Sequence, residues 1–282
     1  MVWEVLVTND QGRRFLEQLS VLIGKEPVKT FFKKVSLTRK NNPGCNIPIP
    51  TVFVFNMRKG EGFSFLAEKI TNVLYDTGFL KFYSKEQLVE YTFVQDVNNM
   101  ELLKEKVDQA TVFTNDFYGV QAWDMDIPMW YMDEWFLKEI GQYLRKNEGR
   151  VCFLLRMYSD NQKDIDPLLA AIGKNVNFIF MDIPMLKLEE KMEIVLEWVK
   201  KDGFEIRGEA KPALGEMIER LCSANSYAGL KMIRRTLEAL ELFTVITWNK
   251  NVITKKAIVE YMRQYLEANL KRETGCVKKM GF

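Results

Sequence analysis

Four short runs of apolar residues, each bounded by polar residues, constrain the fold of this 282-residue chain more than any other feature. Such runs are typical of strands that are buried on both faces of a parallel sheet. Helical patterns lie between them, including residues 65–76 and 135–145. This alternation predicts an α/β domain with a mostly parallel sheet sandwiched by helices. The four runs are TVFVF (51–55), ATVFTN (110–115), RVCFLLRMY (150–158) and VNFIFMD (176–182).

After Pro184 the sequence carries helical patterns alone. Thr254 precedes the last of them and is a good N-cap residue, because its hydroxyl can accept a hydrogen bond from the first turn. We therefore expect a small all-α domain after the α/β domain. The helical patterns span residues 187–203, 211–224, 227–248 and 254–273. The expected boundaries are 1–186 for the α/β domain with its N-terminal helical lead-in, 187–273 for the helical domain and 274–282 for a flexible tail.

The chain contains no histidine, which excludes several classes of chemistry. A Ser/His/Asp triad, a Cys/His dyad, a histidine-bound metal and an imidazole acid or base all need that residue. Any catalysis by this chain has to use carboxylates, Lys, Tyr, Cys or a bound cofactor.

Charge and cysteine content favour a cytoplasmic protein without membrane contacts. The 40 basic and 38 acidic residues leave a net charge of +2, so no overall field attracts nucleic acid or an anionic membrane. The four cysteines form no CxxC pair, which fits a reducing compartment. The first residues become acidic too soon for a signal peptide, and no apolar run is long enough to span a membrane.

A glycine-containing turn connects the first strand to the next helix, in the stretch TVFVFNMRKGEGFSFLAEKI (51–70). Phosphate-binding loops use this order, because successive backbone N–H groups and a helix N-terminus face the phosphates. Such a loop also needs a Lys for the phosphate charge and a Ser or Thr for magnesium. Glu61 and Gly62 stand at those two positions. The frame of a phosphate site is therefore present without the side chains that it needs.

The order of segments along the chain resembles that of AAA+ ATPases of the CbxX/CfxQ type. The resemblance extends over roughly residues 20 to 270 and implies an AAA+-like α/β domain followed by a helical lid domain. The similar segments are LIGKEPVKTFFKKV (22–35), the loop at 51–70, EQLVEYTF (86–93), TVFTNDFYGV (111–120), LLRMYSDNQKDIDPLLAAIGKNVNFIF (154–180) and YAGLKMIRRTLEAL (227–240).

Within the phosphate loop, the resemblance places unsuitable residues at most positions of the family's GxPGTGKT pattern. Phe55 stands at its first glycine and Arg58 at its middle one, whereas Gly60 is kept. Glu61 replaces the Lys and Gly62 replaces the hydroxyl residue. A carboxylate about 4 Å from a phosphate charge costs roughly 4 kcal/mol at an effective dielectric constant of about 20. We therefore expect neither ATP nor magnesium as a cofactor.

The strand that resembles the family's Walker B strand also lacks residues that ATP hydrolysis needs. An Asp is needed there for the magnesium shell and a Glu for the activation of water. The resemblance places Asn115 and Asp116 at these positions, and Asn115 carries no charge for a metal. It also places Arg156 in the sensor strand, where the family has small residues.

The residues that would contact the nucleotide of a neighbouring subunit are altered as well. The family's two arginine fingers, which stabilise transition-state charge in a neighbouring subunit, correspond to Ala170 and Ile172. At the sensor 2 position a basic residue, Lys231, is kept. The resemblance thus implies a chain that neither hydrolyses ATP nor completes a neighbour's site, and no catalytic residue is assigned.

Two sets of aromatic residues are candidates for protein contacts. Tyr91 and Phe93 lie in the segment that resembles the family's polypeptide-gripping pore loop, although alternate residues of a short buried strand would look the same. Trp123, Trp130 and Trp135 lie among acids, as in a docking surface, with core packing as the other interpretation. The acids lack the pattern of a calcium loop, so no metal site is expected.

These observations predict a catalytically inactive AAA+-like protein that acts as a structural or regulatory partner of another protein, for example an active AAA+ relative. Four catalytic elements are altered, whereas the strands and helices that hold them remain recognisable. The family forms rings of subunits. A subunit without bound nucleotide or arginine fingers lacks the contacts that usually join neighbouring subunits. A monomer, a dimer and a mixed assembly therefore all stay open.

One alternative is an enzyme, an unorthodox ATP-binding AAA+ ATPase or remodelling factor. It would hold ATP and magnesium with residues that the resemblance leaves near the site. These are Arg58, Lys59, Asp116 and Lys231.

A second alternative is a nucleic-acid-associated subunit that resembles the inactive subunits of clamp loaders. It would need basic residues gathered on one face to contact phosphates. The candidates are Lys33, Lys34, Arg39 and Lys40, or Arg234 and Arg235. A lone basic helix face is usually only solvated, so nucleic acid is the less favoured partner.

Overall fold

The computed structural model describes residues 17–41, 51–76, 88–93, 119–125, 134–148, 151–224 and 229–266. The chain divides into two compact units, Met1–Met185 and Leu186–Phe282. The strand predicted at 110–115 and the tail at 274–282 lie outside the described residues.

The first unit is built on a sheet of five strands, counted over the described residues. The strands are β1 (Val52–Asn56), β2 (Leu88–Phe93), β3 (Gly119–Met125), β4 (Val151–Met157) and β5 (Phe178–Asp182). They lie in the order β2-β3-β4-β1-β5, and every neighbouring pair is parallel. The helices of this unit are α1 (Glu26–Asn41), α2 (Phe63–Asp76), α3 (Glu134–Lys146) and α4 (Gln162–Gly173). The predicted parallel sheet is confirmed.

Strand β1 shows why the sheet lies between two layers of helices. Its side chains alternate between the two faces, and all of them are buried. Phe53 and Phe55 pack with residues of α1 and α2, whereas Val52 and Val54 pack with residues of α3 and α4. The continuous apolar run in the sequence thus reflects a strand covered on both faces.

The strand order brings several loops together at one edge of the sheet. Because the strands are parallel, their carboxyl ends all lie at that edge. Strand β1 lies between β4 and β5, so the chain crosses from β1 to the far strand β2 and returns step by step. Ligands of open α/β sheets bind beside such a reversal of strand order, outside the carboxyl ends of the strands. A ligand site is therefore expected at the edge after β1, β3 and β4.

The second unit consists mainly of helices. They are α5 (Leu188–Lys201), α6 (Ala210–Ala224), α7 (Leu230–Trp248) and α8 (Lys255–Tyr261), which continues into a π-helical turn, Met262–Leu266. The predicted N-cap is confirmed, since the Thr254 hydroxyl accepts a hydrogen bond from the Ala257 N–H at 3.2 Å. The unit is not all-α, because β6 (Glu205–Ile206) and β7 (Val252–Ile253) form a short parallel pair.

None of the helices in the described ranges is both long enough and apolar enough to cross a membrane.

The strand next to β4 differs from the sequence prediction. The sequence pattern predicts no strand at residues 119–125, where Trp123 is a candidate for a docking surface or for core packing. These residues nevertheless form β3 and lie almost entirely inside the sheet. The prediction failed because Gln121 and Asp124 interrupt the apolar run. Both polar residues have partners inside the fold: Gln121 accepts a hydrogen bond from the Trp123 indole N–H at 3.2 Å, and Asp124 pairs with Arg156.

A buried carboxylic acid lies in the core-facing side of α7. Glu241 is 6% exposed, and its Oε1 atom has no hydrogen-bond partner among the described residues. Burial raises the pKa of Glu241 from its ordinary value of 4.5 to about 7; Asp202 and Glu238 raise it as well, and Arg234 lowers it. Arg234 itself donates hydrogen bonds to Asp202 and Glu238, at 2.5 and 2.8 Å.

Substitution of a buried leucine on α7 should cost far more stability than substitution of an exposed one. Leu237 is fully buried, whereas Leu242 is 61% exposed. We expect Leu237→Ala to lower the free energy of unfolding by about 3 kcal/mol through lost burial and a cavity. The matched control Leu242→Ala should change it by less than about 0.5 kcal/mol. Urea unfolding of the full chain measures both, and equal effects would contradict this packing.

Glu241 should make stability depend on pH. Its pKa is higher in the folded protein than its ordinary value, so its contribution is complete below pH 4.5 and is lost as the pH rises to about 7. Glu241→Gln should therefore gain stability relative to the wild type between these limits. Urea unfolding at the two ends of this range measures the difference. Glu219→Gln, at an exposed position on α6, is the control; a pH-independent difference for Glu241→Gln would contradict the assignment.

Candidate functional site

The loop between β1 and α2 contains two glycines in the left-handed region. Gly60 has a φ of 82° and Gly62 a φ of 86°. The Glu61 N–H donates to the Arg58 carbonyl at 3.3 Å, and the Leu66 N–H donates to the Gly62 carbonyl at 2.9 Å. The loop therefore turns tightly, and helix α2 begins directly after Gly62.

This backbone does not suit the residue that a magnesium site requires at position 62. A Ser or Thr there would have to adopt the φ of 86°, which residues with a Cβ rarely do. Phe55 is fully buried in β1 and belongs to the core. Glu61 is only 3% exposed. The loop thus differs from a phosphate loop in its conformation as well as in its side chains.

Asn56, at the end of β1, holds the neighbouring strand ends together. Its side-chain oxygen accepts from the Ser159 N–H at 3.0 Å, and its amide nitrogen donates to the Ser159 carbonyl at 3.1 Å. The same nitrogen donates to Asp182 Oδ1 at 3.0 Å. Asn56 thereby links the loop after β4 to the end of β5. Its side chain is 8% exposed, so these bonds are largely shielded from water.

Arg58 also contacts the loop after β4. Its guanidinium lies over the Tyr158 ring, 5.2 Å from the ring centre, and the Tyr158 hydroxyl donates to Asp160. Partial burial raises the pKa of the Tyr158 hydroxyl; the bond to Asp160 raises it further, while Arg58 lowers it. This cation–π contact places the Arg58 charge beside Tyr158.

A buried ion pair lies at the centre of the same edge. Arg156 on β4 stands opposite Asp124 on β3, and its Nε donates to Asp124 Oδ1. Its Nη1 donates to the Met57 carbonyl, the first residue of the loop after β1, at 3.1 Å. The Arg156 side chain is 2% exposed and that of Asp124 26% exposed. One guanidinium therefore joins the ends of β1, β3 and β4.

The acid at the end of β3 was missed in the sequence. Asn115 and Asp116 were assigned to it, and both lie outside the described residues; the strand beside β4 ends in Asp124 and Met125. A signal was present, because an arginine inside the apolar run RVCFLLRMY needs a carboxylate partner if that run is buried. The run VQAW, followed directly by Asp124, offers one.

Of the three candidate tryptophans, the structure describes Trp123 and Trp135. Trp123 is fully buried and packs against Tyr143 and Phe153, with ring centres 5.7 and 5.3 Å away. Of the two interpretations given for Trp123, core packing holds and a docking surface does not, since β3 places it in the core. Trp135 is 52% exposed at the start of α3, and Trp130 lies outside the described residues.

The remaining predicted site residues lie on β2, α4 and α7. Tyr91 and Phe93 are alternate residues of β2, where Tyr91 pairs with Trp123 in register. Ile172, at a position compared with an arginine finger, is fully buried, whereas Ala170 is exposed. Lys231 is an exposed residue in the first turn of α7, in the second unit.

The structure describes part of the two basic sets named for the nucleic-acid alternative. Lys33 and Lys34 lie on α1, while the side chains of Arg39 and Lys40 lie outside the described residues. Arg234 is bonded to Asp202 and Glu238, so acids neutralise it, and Arg235 is exposed. The arrangement gives this alternative no added support.

Arg156 and Asp124 should be strongly coupled in their effect on stability. Substitution of one should cost a different free energy of unfolding from substitution of the other. Asp124→Asn leaves the charge of the more deeply buried Arg156 without its acid, so we expect a loss of about 4 kcal/mol in unfolding free energy. Arg156→Met should cost less, because Asp124 retains contact with water. In the double variant the two losses should not add. Urea unfolding of all four proteins measures the coupling.

An exposed ion pair provides the control for this cycle. Arg220 and Glu216 are 50% and 58% exposed, so their coupling should be at most about 1 kcal/mol. Equal coupling in the two cycles would contradict the role given to Arg156 and Asp124.

Comparisons with known proteins support the fold. No family model matches the chain. No curated protein matches it either. The chain is similar to a mutant of RuvB from Thermotoga maritima, at 14% identity over 87% of this chain and 71% of that chain, with a TM-score of 0.57. It is also similar to the Thermotoga maritima RuvB Holliday junction branch migration motor, at 13% identity over 86% and 69%, with a TM-score of 0.54. RuvB is an AAA+ ATPase, and with the strand order described above the likeness shows that this chain has the AAA+ fold.

Proposed function

We propose that this chain is a catalytically inactive AAA+-like protein of the CbxX/CfxQ type. It acts through protein contacts, as a structural or regulatory partner of another protein such as an active AAA+ relative. The observation that carries the proposal is the loop between β1 and α2. Glu61 stands where a phosphate loop has its Lys, and Gly62, at a φ of 86°, stands where it has Ser or Thr.

Electrostatics decide the effect of Glu61 on nucleotide binding. One carboxylate about 4 Å from one phosphate charge costs roughly 4 kcal/mol at an effective dielectric constant of about 20. This corresponds to roughly a thousandfold loss of affinity. The missing Lys attraction adds to the loss, so magnesium-ATP should not bind at physiological concentrations.

Within the described part of the chain, the end of β3 offers no acid other than Asp124. Asp124 already pairs with Arg156, and the next residue, Met125, has no acidic or basic group. Among the described residues, a nucleotide at this edge would therefore meet no acid at the end of β3 that is not already paired. This supports inactivity independently of the phosphate loop.

A role in protein contacts is supported by apolar residues on the second unit. Leu242, Val245 and Ile246 on α7 are 61%, 41% and 73% exposed. Their spacing of three and four residues places them on one face of the helix. Contiguous exposed apolar residues are typical of protein interaction surfaces.

Calorimetric titration with magnesium-ATP tests the inactivity directly. The full chain should give no saturable heat up to about 1 mM nucleotide, the upper end of the usual range of enzyme KM values. An AAA+ protein with an intact phosphate loop serves as the positive control. Low-micromolar binding accompanied by ATP hydrolysis would contradict the proposal and favour the unorthodox ATPase.

The single substitution Glu61→Lys separates a weakened site from an absent one. If the site is absent, this variant should also fail to bind magnesium-ATP, because the conformation at Gly62 and the Asp124–Arg156 pair remain. Glu68→Lys, at an exposed position on α2, makes the same change in charge and is the matched control. Micromolar binding with turnover in Glu61→Lys alone would show that the site is merely detuned.

A further inference from the structure

We infer that Arg156 permanently takes the place of a divalent metal ion at the carboxyl edge of the sheet. The inference rests on the proposed function, since it concerns the same edge, and it names the group that fills the metal position. In a nucleotide site of this fold, a hydroxyl of the phosphate loop and an acid at the end of the third strand hold Mg²⁺. Here the guanidinium of Arg156 meets that acid.

The residues present do not fit a metal. The acid at the end of β3, Asp124, accepts a charge-assisted hydrogen bond from Arg156 Nε. The position of the hydroxyl ligand is Gly62, which has no side chain and a φ of 86°. Among the described residues, no group of three acids or cysteines is arranged to hold a metal ion.

Burial makes the position of the guanidinium hard to change. The Arg156 side chain is 2% exposed, and it also donates to the Met57 carbonyl at 3.1 Å. To displace it, a metal ion would have to break both bonds and leave a buried positive charge without its acid. A metal ion that joined it would lie beside a like charge. Both routes oppose metal uptake.

The same guanidinium explains how the edge remains ordered without a metal. Its bonds join β3, β4 and the first residue of the loop after β1, and the Met57 N–H donates to the Met157 carbonyl at 2.7 Å. A metal ion in a nucleotide site joins a phosphate loop to the acid of the third strand in a similar way. In this chain the Arg156 side chain connects the loop after β1 to Asp124 on β3.

Mn²⁺ binding, followed by the electron paramagnetic resonance signal of the free ion, tests the inference on the full chain without nucleotide. Wild type and Arg156→Lys, which keeps the charge, should leave the free signal unchanged. Arg156→Gln, which removes the charge at similar length, should lower the free signal at an Mn²⁺ concentration about tenfold below the highest one at which the wild type leaves it unchanged. Adding Asp124→Asn to Arg156→Gln should abolish the gain.

Two results would overturn the inference. One is Mn²⁺ binding by the wild type that Asp124→Asn removes; the other is a folded Arg156→Gln protein with no gain in Mn²⁺ affinity. If circular dichroism shows that Arg156→Gln does not fold, Mn²⁺ binding by the wild type is compared with binding by Asp124→Asn. Absence of binding in both proteins supports the inference. Nucleotide binding that is equally strong with a chelator present would contradict the proposed function alone.

Discussion

The buried ion pair between Arg156 and Asp124 is the interaction on which the carboxyl edge of the sheet depends. It joins β3 to β4, and through the Met57 carbonyl it fixes the start of the loop after β1. Asn56 and Arg58 extend these connections to the loop after β4. The crevice where open α/β sheets bind ligands is therefore crossed by side chains of the chain itself.

The changes at this edge reinforce each other physically. A carboxylate at position 61 repels phosphate, and a left-handed glycine at position 62 cannot be replaced by a hydroxyl residue without strain. The acid that would face a metal faces Arg156 instead. Each change alone would weaken a nucleotide site, and the bonds of Arg156 connect the strands of this edge without a ligand. An AAA+ fold thus persists on internal contacts, which fits a structural or regulatory role.

Much of the fold could be predicted because its strands are covered on both faces. Strands β1, β4 and β5 coincide with continuous apolar runs, and Thr254 was recognised from its cap position. Strand β3 could not be found in this way, because Gln121 and Asp124 are polar residues whose partners come from within the fold. The sequence likewise indicated an unsuitable phosphate loop but not the pairing of Arg156 with Asp124. Such a partner depends on strand order, which local patterns do not contain.

The most direct measurement observes the backbone amides of residues 57–63 by nuclear magnetic resonance during titration with magnesium-ATP. These amides form the loop and the first residue of α2, where a phosphate would bind. The account predicts that their chemical shifts stay unchanged at millimolar nucleotide. Saturable shifts of these amides at micromolar nucleotide would contradict it.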